Sequence, residues 1–184
     1  MLRNTSDSFG AIAKIFHWLI ALGIIGMLTV GLIMVDMDPS PTKKILYSLH
    51  KSTGVVILFL VILRLTWRLL NPVPQLPSSL RPWHHHLAKL SPFALYTLMF
   101  MMPFSGFTLS EAAGYPIVVY NLFTIPNILP KNLEVAKNAV MVHKYGGFAL
   151  IGILILHVSA ALYHHFILKT NILRRILPSW LRRF

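Results

Sequence analysis

Cysteine is absent from the 184 residues, which excludes disulfides, thiolate metal sites, iron–sulfur clusters and thioether-linked haem. Acid is nearly absent too: 5 Asp and Glu stand against 17 Lys and Arg. Those acids are Asp7, Asp36, Asp38, Glu111 and Glu134, and none lies within the long apolar runs. A buried zinc or non-haem iron centre built from imidazole and carboxylate therefore has no carboxylate to use. Charged residues amount to only 12%, and the formal charge of +12 sits in loops and ends. In a chain this apolar, basic loops report membrane orientation before they report a polyanionic partner, so no nucleic-acid partner is expected.

What the sequence holds instead is hydrophobic length. Apolar residues make up 55% and mean hydropathy is +0.66, concentrated in four runs at 11–35, 45–69, 86–109 and 139–168, with a basic tail at 169–184. Each run is long enough to cross the roughly 30 Å hydrocarbon core as a helix. The fold class expected is all-α: an integral membrane, antiparallel four-helix bundle, one domain over 1–184. The first run outlasts a signal-peptide core, carries His17-Trp18 near its start and ends without a small-x-small cleavage site, so it reads as a retained span. Pro103 and Gly106 should loosen the exit of the third run. Between runs three and four, the loop 110–138 contains an apolar stretch, Tyr115 to Leu129. Asn121, Pro126 and Asn127 interrupt it, and it is too short to cross, so an interfacial or packed loop is expected. Arg3, Lys14, Arg64, Arg68, Arg81, Lys89 and the tail cations outnumber the lysines at the opposite ends of the runs. Both termini are therefore assigned to the cytoplasm, and the tail reads as a short amphipathic helix on anionic lipid.

Nine histidines are the chemistry-bearing residues, and ionisable groups inside apolar runs usually have a partner or a task. His143 and His157 lie fourteen residues apart on run four, which leaves them about 40° apart on one helix face and roughly 21 Å apart along it. His50 on run two matches the depth of His143, and His17 on run one matches that of His157. Two bis-histidine sites stacked across the bilayer follow. Four residues after each of these histidines stands a small one, Ala21, Gly54, Gly147 or Ala161, as a flat macrocycle against the helices would need. Paired neutral imidazoles without carboxylate suit haem iron, with both axial positions filled by protein. By spacing alone His164, seven residues beyond His157, could serve His17 almost as well. A different function class, a histidine-lined metal-ion or proton transporter, also uses imidazoles in series, but lacks here the intramembrane carboxylates and broken helices of such sites.

The sequence resembles the bacterial cytochrome b561 family, the di-haem membrane cytochromes related to hydrogenase cytochrome b subunits. The resemblance covers nearly the whole chain. It rests on Phe16-His17-Trp18, on Leu49-His50-Lys51 followed by Gly54, and on Arg64 with Trp67-Arg68. In run four it rests on Val142-His143-Lys144, Leu156-His157 and Ala161-Leu-Tyr-His-His-Phe166. It implies two b-type haems per chain, with His50 and His143 as axial ligands of the outer haem and His17 and His157 of the inner one, so it selects His157 over His164. It further implies a multi-pass protein of the bacterial inner membrane that exchanges electrons with ubiquinone. On the outer side it implies superoxide or a separate periplasmic protein as the other redox partner. The chain would then be a quinone-linked oxidoreductase, of superoxide-oxidase type in some members.

Several further residues carry two readings each. Arg64 lies fourteen residues after His50, where it could pair with an inner-haem propionate or snorkel to lipid phosphate. Lys51 and Lys144, with Lys44 and Lys137, gather near the outer site as propionate partners or a steering surface, or as plain loop lysines. His164 and His165 are candidate quinone contacts or interfacial residues. His84, His85 and His86 read as interfacial.

Overall fold

The computed structural model describes residues 1–77 and 80–178. Four long helices dominate it: α1 (Ala11–Asp36), α2 (Pro41–Leu69), α3 (Pro82–Ala112) and α4 (Leu133–Phe166). All four are long and apolar enough to cross a membrane. Their outward faces stay apolar and uncovered, as at Leu22 and Ile25 on α1 and Ile155 and Leu156 on α4, which is how a helix facing lipid differs from one facing water. Up–down connectivity makes neighbouring helices antiparallel. α1 packs along α2 and α3 along α4, with α2 and α3 joining the two halves.

Helix ends fall where capping chemistry dictates rather than where hydropathy stops. Ser40 accepts from the Lys43 amide and Pro41 takes the first helical position, so α2 begins before its apolar run. Pro82 takes the first helical position of α3, after Arg81, which makes no side-chain cap. The Asn132 side chain accepts from the Glu134 and Val135 amides and starts α4 at Leu133. Both Pro92 and Pro103 lie inside α3, which continues as helix to Ala112.

The apolar loop between α3 and α4 holds the only strands among the described residues. It folds as an antiparallel hairpin, β1 (Ile117–Val119) with β2 (Phe123–Ile125), pairing Ile117 with Ile125 and Val119 with Phe123. Tyr120 and Asn121 both have positive φ, 47° and 59°, and the Leu122 amide donates to the Val119 carbonyl. Asn tolerates that conformation and Tyr does not readily. Tyr120 is held there by α2: its amide donates to Ser52 Oγ, and its hydroxyl lies 2.8 Å from Thr53 Oγ1. The Ser52 hydroxyl also reaches the Val118 carbonyl, and Lys51 Nζ donates to the Pro116 carbonyl and contacts Ser110 Oγ. Three consecutive α2 residues after His50 thus fasten the hairpin over that end of the bundle. Glu111 completes the fastening. It is inside α3, buried, and accepts the Ile128 amide at 2.8 Å.

At the opposite end the N-terminal segment, the 71–77 connection and a short helix, α5 (Ile172–Ile176), form the cover. Trp18 Nε1 donates to the Ile176 carbonyl, Asn4 Nδ2 to Pro72, and Arg175 contacts the Gln75 carbonyl. The expected amphipathic tail is therefore a helix of 5 residues tied to α1, and its last cations, Arg182 and Arg183, lie outside the described residues.

Midway along the bundle, Ile20 and Ile24 of α1, Ile57 and Val61 of α2, Met99 of α3 and Leu150 of α4 form the buried core. Leu150 lies seven residues from both His143 and His157. The core therefore separates a hairpin-side level from a terminal-side level.

Candidate functional site

Each level holds one facing pair of imidazoles. On the terminal side His17 of α1 faces His157 of α4 with ring centroids 6.4 Å apart; on the hairpin side His50 of α2 faces His143 of α4 at 6.2 Å. A metal–imidazole bond of about 2 Å, plus roughly 1 Å from nitrogen to ring centre, taken twice, separates two ring centres by about 6 Å across one in-line metal atom. Both pairs stand at that distance. α4 contributes to both because its two histidines share a face, as their spacing requires. His164 does not approach His17 in this way: its ring packs at 5.0 Å against His84.

The second ring nitrogen decides whether an imidazole is ready to bind a metal, since its hydrogen bond fixes the tautomer. His143 Nδ1 lies 3.0 Å from the Met102 carbonyl. A carbonyl only accepts, so Nδ1 carries the proton and Nε2 keeps its lone pair. Ser105 Oγ stands 3.0 Å from the same nitrogen and also donates to Met102. His157 Nδ1 has Ser91 Oγ at 3.3 Å. His50 Nδ1 is buried without a partner. His17 is different. Its Nδ1 lies 3.1 Å from Arg64 Nη2, and a guanidinium has only donors. In this arrangement Nδ1 accepts and Nε2 holds the proton, so Arg64 must turn elsewhere before Nε2 can ligate.

Room for the rings comes from glycines on neighbouring helices. A Cβ on Gly106 of α3 would stand 3.1 Å from His143 Cε1, and one on Gly31 of α1 would stand 3.3 Å from His50 Cε1. The small residues on the ligand-bearing helices face flexible neighbours. Gly54 looks onto the Met27 methyl and Gly147 onto that of Met102, each at 3.6 Å. Thioether side chains adapt their shape readily, and α1 and α4 show no extended packing among the described residues. A planar macrocycle with an imidazole on each face fits this donor set. No group of three or more His, Cys, Asp and Glu side chains competes for a metal among the described residues.

The cations divide between the levels. Arg64 joins the terminal-side pair, and its guanidinium also lies 6.0 Å from the Tyr96 ring centre. Lys51 is engaged by the hairpin through Ser110 and Pro116, and Lys144 is exposed. His165 packs on Phe166 at 4.8 Å. His84, expected at an interface, is buried at 9% exposure, whereas His86 is exposed. Ser91, Ser105, the Met102 carbonyl, Gly31 and the steric role of Gly106 went unread in the sequence. A lone Ser or Gly in an apolar helix carries no signal until the facing helix is known.

The chain is similar to several known proteins. The family model for prokaryotic cytochrome b561 matches residues 8–179. The chain is 33% identical to "Cytochrome b561 homolog 2" of Escherichia coli (strain K12), over 95% of this chain and 93% of that protein. It is 26% identical to "Probable superoxide oxidase CybB" of Yersinia pestis, over 89% and 92%. It is also 26% identical to "Cytochrome b561 homolog 1" of Escherichia coli (strain K12), over 76% and 78%.

Proposed function

The chain belongs to the prokaryotic cytochrome b561 family, and on that premise we propose that it passes electrons across the bacterial inner membrane through two b-type haems. Each haem is held between one facing histidine pair. The observation that carries this reading is that both pairs stand at the in-line distance, 6.2 and 6.4 Å, on two levels of one bundle. His50 and His143 would hold the outer haem, and His17 and His157 the inner one. Bound haem supplies a reversible one-electron change at iron, and its potential is set by the ligands and their surroundings.

The chain's own residues supply the rest. The Met102 carbonyl holds the Nδ1 proton of His143, which orients the ring and raises its basicity as a ligand. Ser91 Oγ, 3.3 Å from His157 Nδ1, helps to orient that ring. Arg64, once turned from His17, offers its paired N–H donors to a haem propionate. With two histidines committed to each site, the bound group would serve electron passage rather than oxygen binding.

With both termini in the cytoplasm, as the basic loops indicate, ubiquinone or its quinol would bind near the terminal-side ends of α3 and α4, on the side of His17 and His157, with His165 as a candidate contact. The His50 and His143 level would face the periplasm, where the exposed lysines, Lys144 among them, would draw superoxide or an acidic redox protein. The name of the Yersinia relative supports superoxide as the donor to be tried first.

A pyridine haemochrome assay on the purified protein tests the core of this reading. About two b-type haems per chain are expected, one for each bis-histidine site. A protein free of haem would overturn it and favour a histidine-lined transporter. Reduction of the bound haem by added ubiquinol or by superoxide then tests the two partners separately.

A further inference from the structure

A third histidine pair lies outside both haem sites, where α3 begins and α4 ends. His84 and His164 place their ring centroids 5.0 Å apart at an interplanar angle of 70°. His84 is 9% exposed, and both of its ring nitrogens are buried without a hydrogen-bond partner, as is Nδ1 of His164. Edge-to-face packing alone would account for the distance. It does not account for three orphaned nitrogens, since buried polar groups of this kind normally have partners. Trp83 stacks on His84 at 3.7 Å and 25°, so the ring is held in place rather than free to seek solvent.

We propose that His84 and His164 bind one divalent transition-metal ion of the zinc, copper or nickel class. The in-line pairs at 6.2 and 6.4 Å suit ligands on opposite faces of a metal. A bent arrangement brings ring centres closer: with metal–nitrogen bonds of about 2 Å and a tetrahedral angle, they stand about 5 Å apart. The third pair is at that separation. Imidazole is the ligand these metals share, and one nitrogen from each ring would be satisfied by the ion. No third His, Cys, Asp or Glu joins the pair among the described residues, so water completes the coordination. The bound ion would staple the terminal-side ends of α3 and α4, whose chain is fixed there by Pro82 at one start and by the Thr170 bonds to the His164 carbonyl at the other stop.

Equilibrium dialysis of the purified, haem-loaded protein against zinc, with metal and haem measured on the same sample, tests this. One zinc per chain is expected, held at least tenfold more tightly in the starting protein than in His84→Gln or His164→Gln, which keep a polar side chain. His86→Gln should bind zinc as the starting protein does, and all three variants should keep their haem content and absorbance spectrum. Zinc binding that survives both His84→Gln and His164→Gln, or that is lost with His86→Gln instead, would overturn the proposal. So would the absence of zinc from the starting protein at submillimolar concentrations. Haem content is read independently, so a protein without haem that still binds zinc through His84 would fail the di-haem reading and leave this one standing.

Discussion

The hairpin-side and terminal-side pairs use the same ligand chemistry in unlike settings. On the hairpin side, His143 is already in the metal-binding tautomer, locked by a main-chain carbonyl, and glycines on α1 and α3 give both rings their space. A hairpin bonded to the next three residues of α2 covers the site. On the terminal side a guanidinium holds His17 in the opposite tautomer, and the cover is assembled from chain ends. On the proposed di-haem reading, the hairpin-side site has one ligand already in the metal-binding tautomer, whereas the terminal-side site must first redirect a charge. A cation beside a haem favours the reduced, less positive state, whereas a carbonyl behind a ligand histidine favours the oxidised one. On the proposed reading, the terminal-side haem should therefore have the higher potential, and electrons should run downhill from the hairpin-side level to the terminal-side one.

The largest effects come from deleting a ligand. His143→Ala should remove the hairpin-side haem and His157→Ala the terminal-side haem, each lowering haem content from about two per chain to about one. His164→Ala should leave both, measured by haemochrome with the protein concentration known. Equal loss from His157→Ala and His164→Ala would erase the distinction between them.

Filling the ligand's space should be nearly as severe, but on one level only. Gly106→Val places new carbon against the His143 ring, already 3.1 Å from a Cβ, and overpacking of that kind typically costs about 1–3 kcal/mol. The hairpin-side haem should be lost or spectrally displaced while the terminal-side haem keeps its signal in low-temperature absorbance spectra.

Arg64→Gln should sharpen the electrostatic contrast. The inner potential should fall by on the order of 60 mV, the equivalent of a tenfold change in a one-electron equilibrium, with the outer potential unmoved in a spectroscopic redox titration. Movement of both potentials, or of neither, would show that Arg64 does not act on the inner site.

The smallest effect concerns the hairpin. Ser52→Ala removes a buried hydroxyl that serves both Val118 and Tyr120 and should weaken docking by about 1–3 kcal/mol. Faster amide exchange confined to residues 117–125 would report it, with haem content unchanged.

The sequence was most legible where one helix suffices. The apolar run 11–35 coincides with α1 to within one residue at either end, because a bilayer-spanning helix must satisfy its backbone internally and be apolar throughout. Starts set by Ser40-Pro41, Arg81-Pro82 and Asn132 extend beyond the apolar runs, since a cap can lie in the interface where hydropathy is silent. The stretch Tyr115 to Leu129 folds as a packed loop, and nothing in its residues marks the strands. They owe their turn to Ser52 and Thr53 on α2, remote in sequence. Glu111, assigned to a loop outside the spans, is a buried residue of α3 whose carboxylate accepts backbone amides of the following loop.

By itself, the sequence determined four spans, their order, and the levels of the histidines along each, because helical rise and period convert residue number into depth and direction. It could not decide between His157 and His164 as the partner of His17 on spacing, nor see that His84 is buried. Those outcomes depend on how α3 and α4 are rotated and slid against α1 and α2. Only side-chain packing across the bundle sets that rotation, and no single helix carries a record of it.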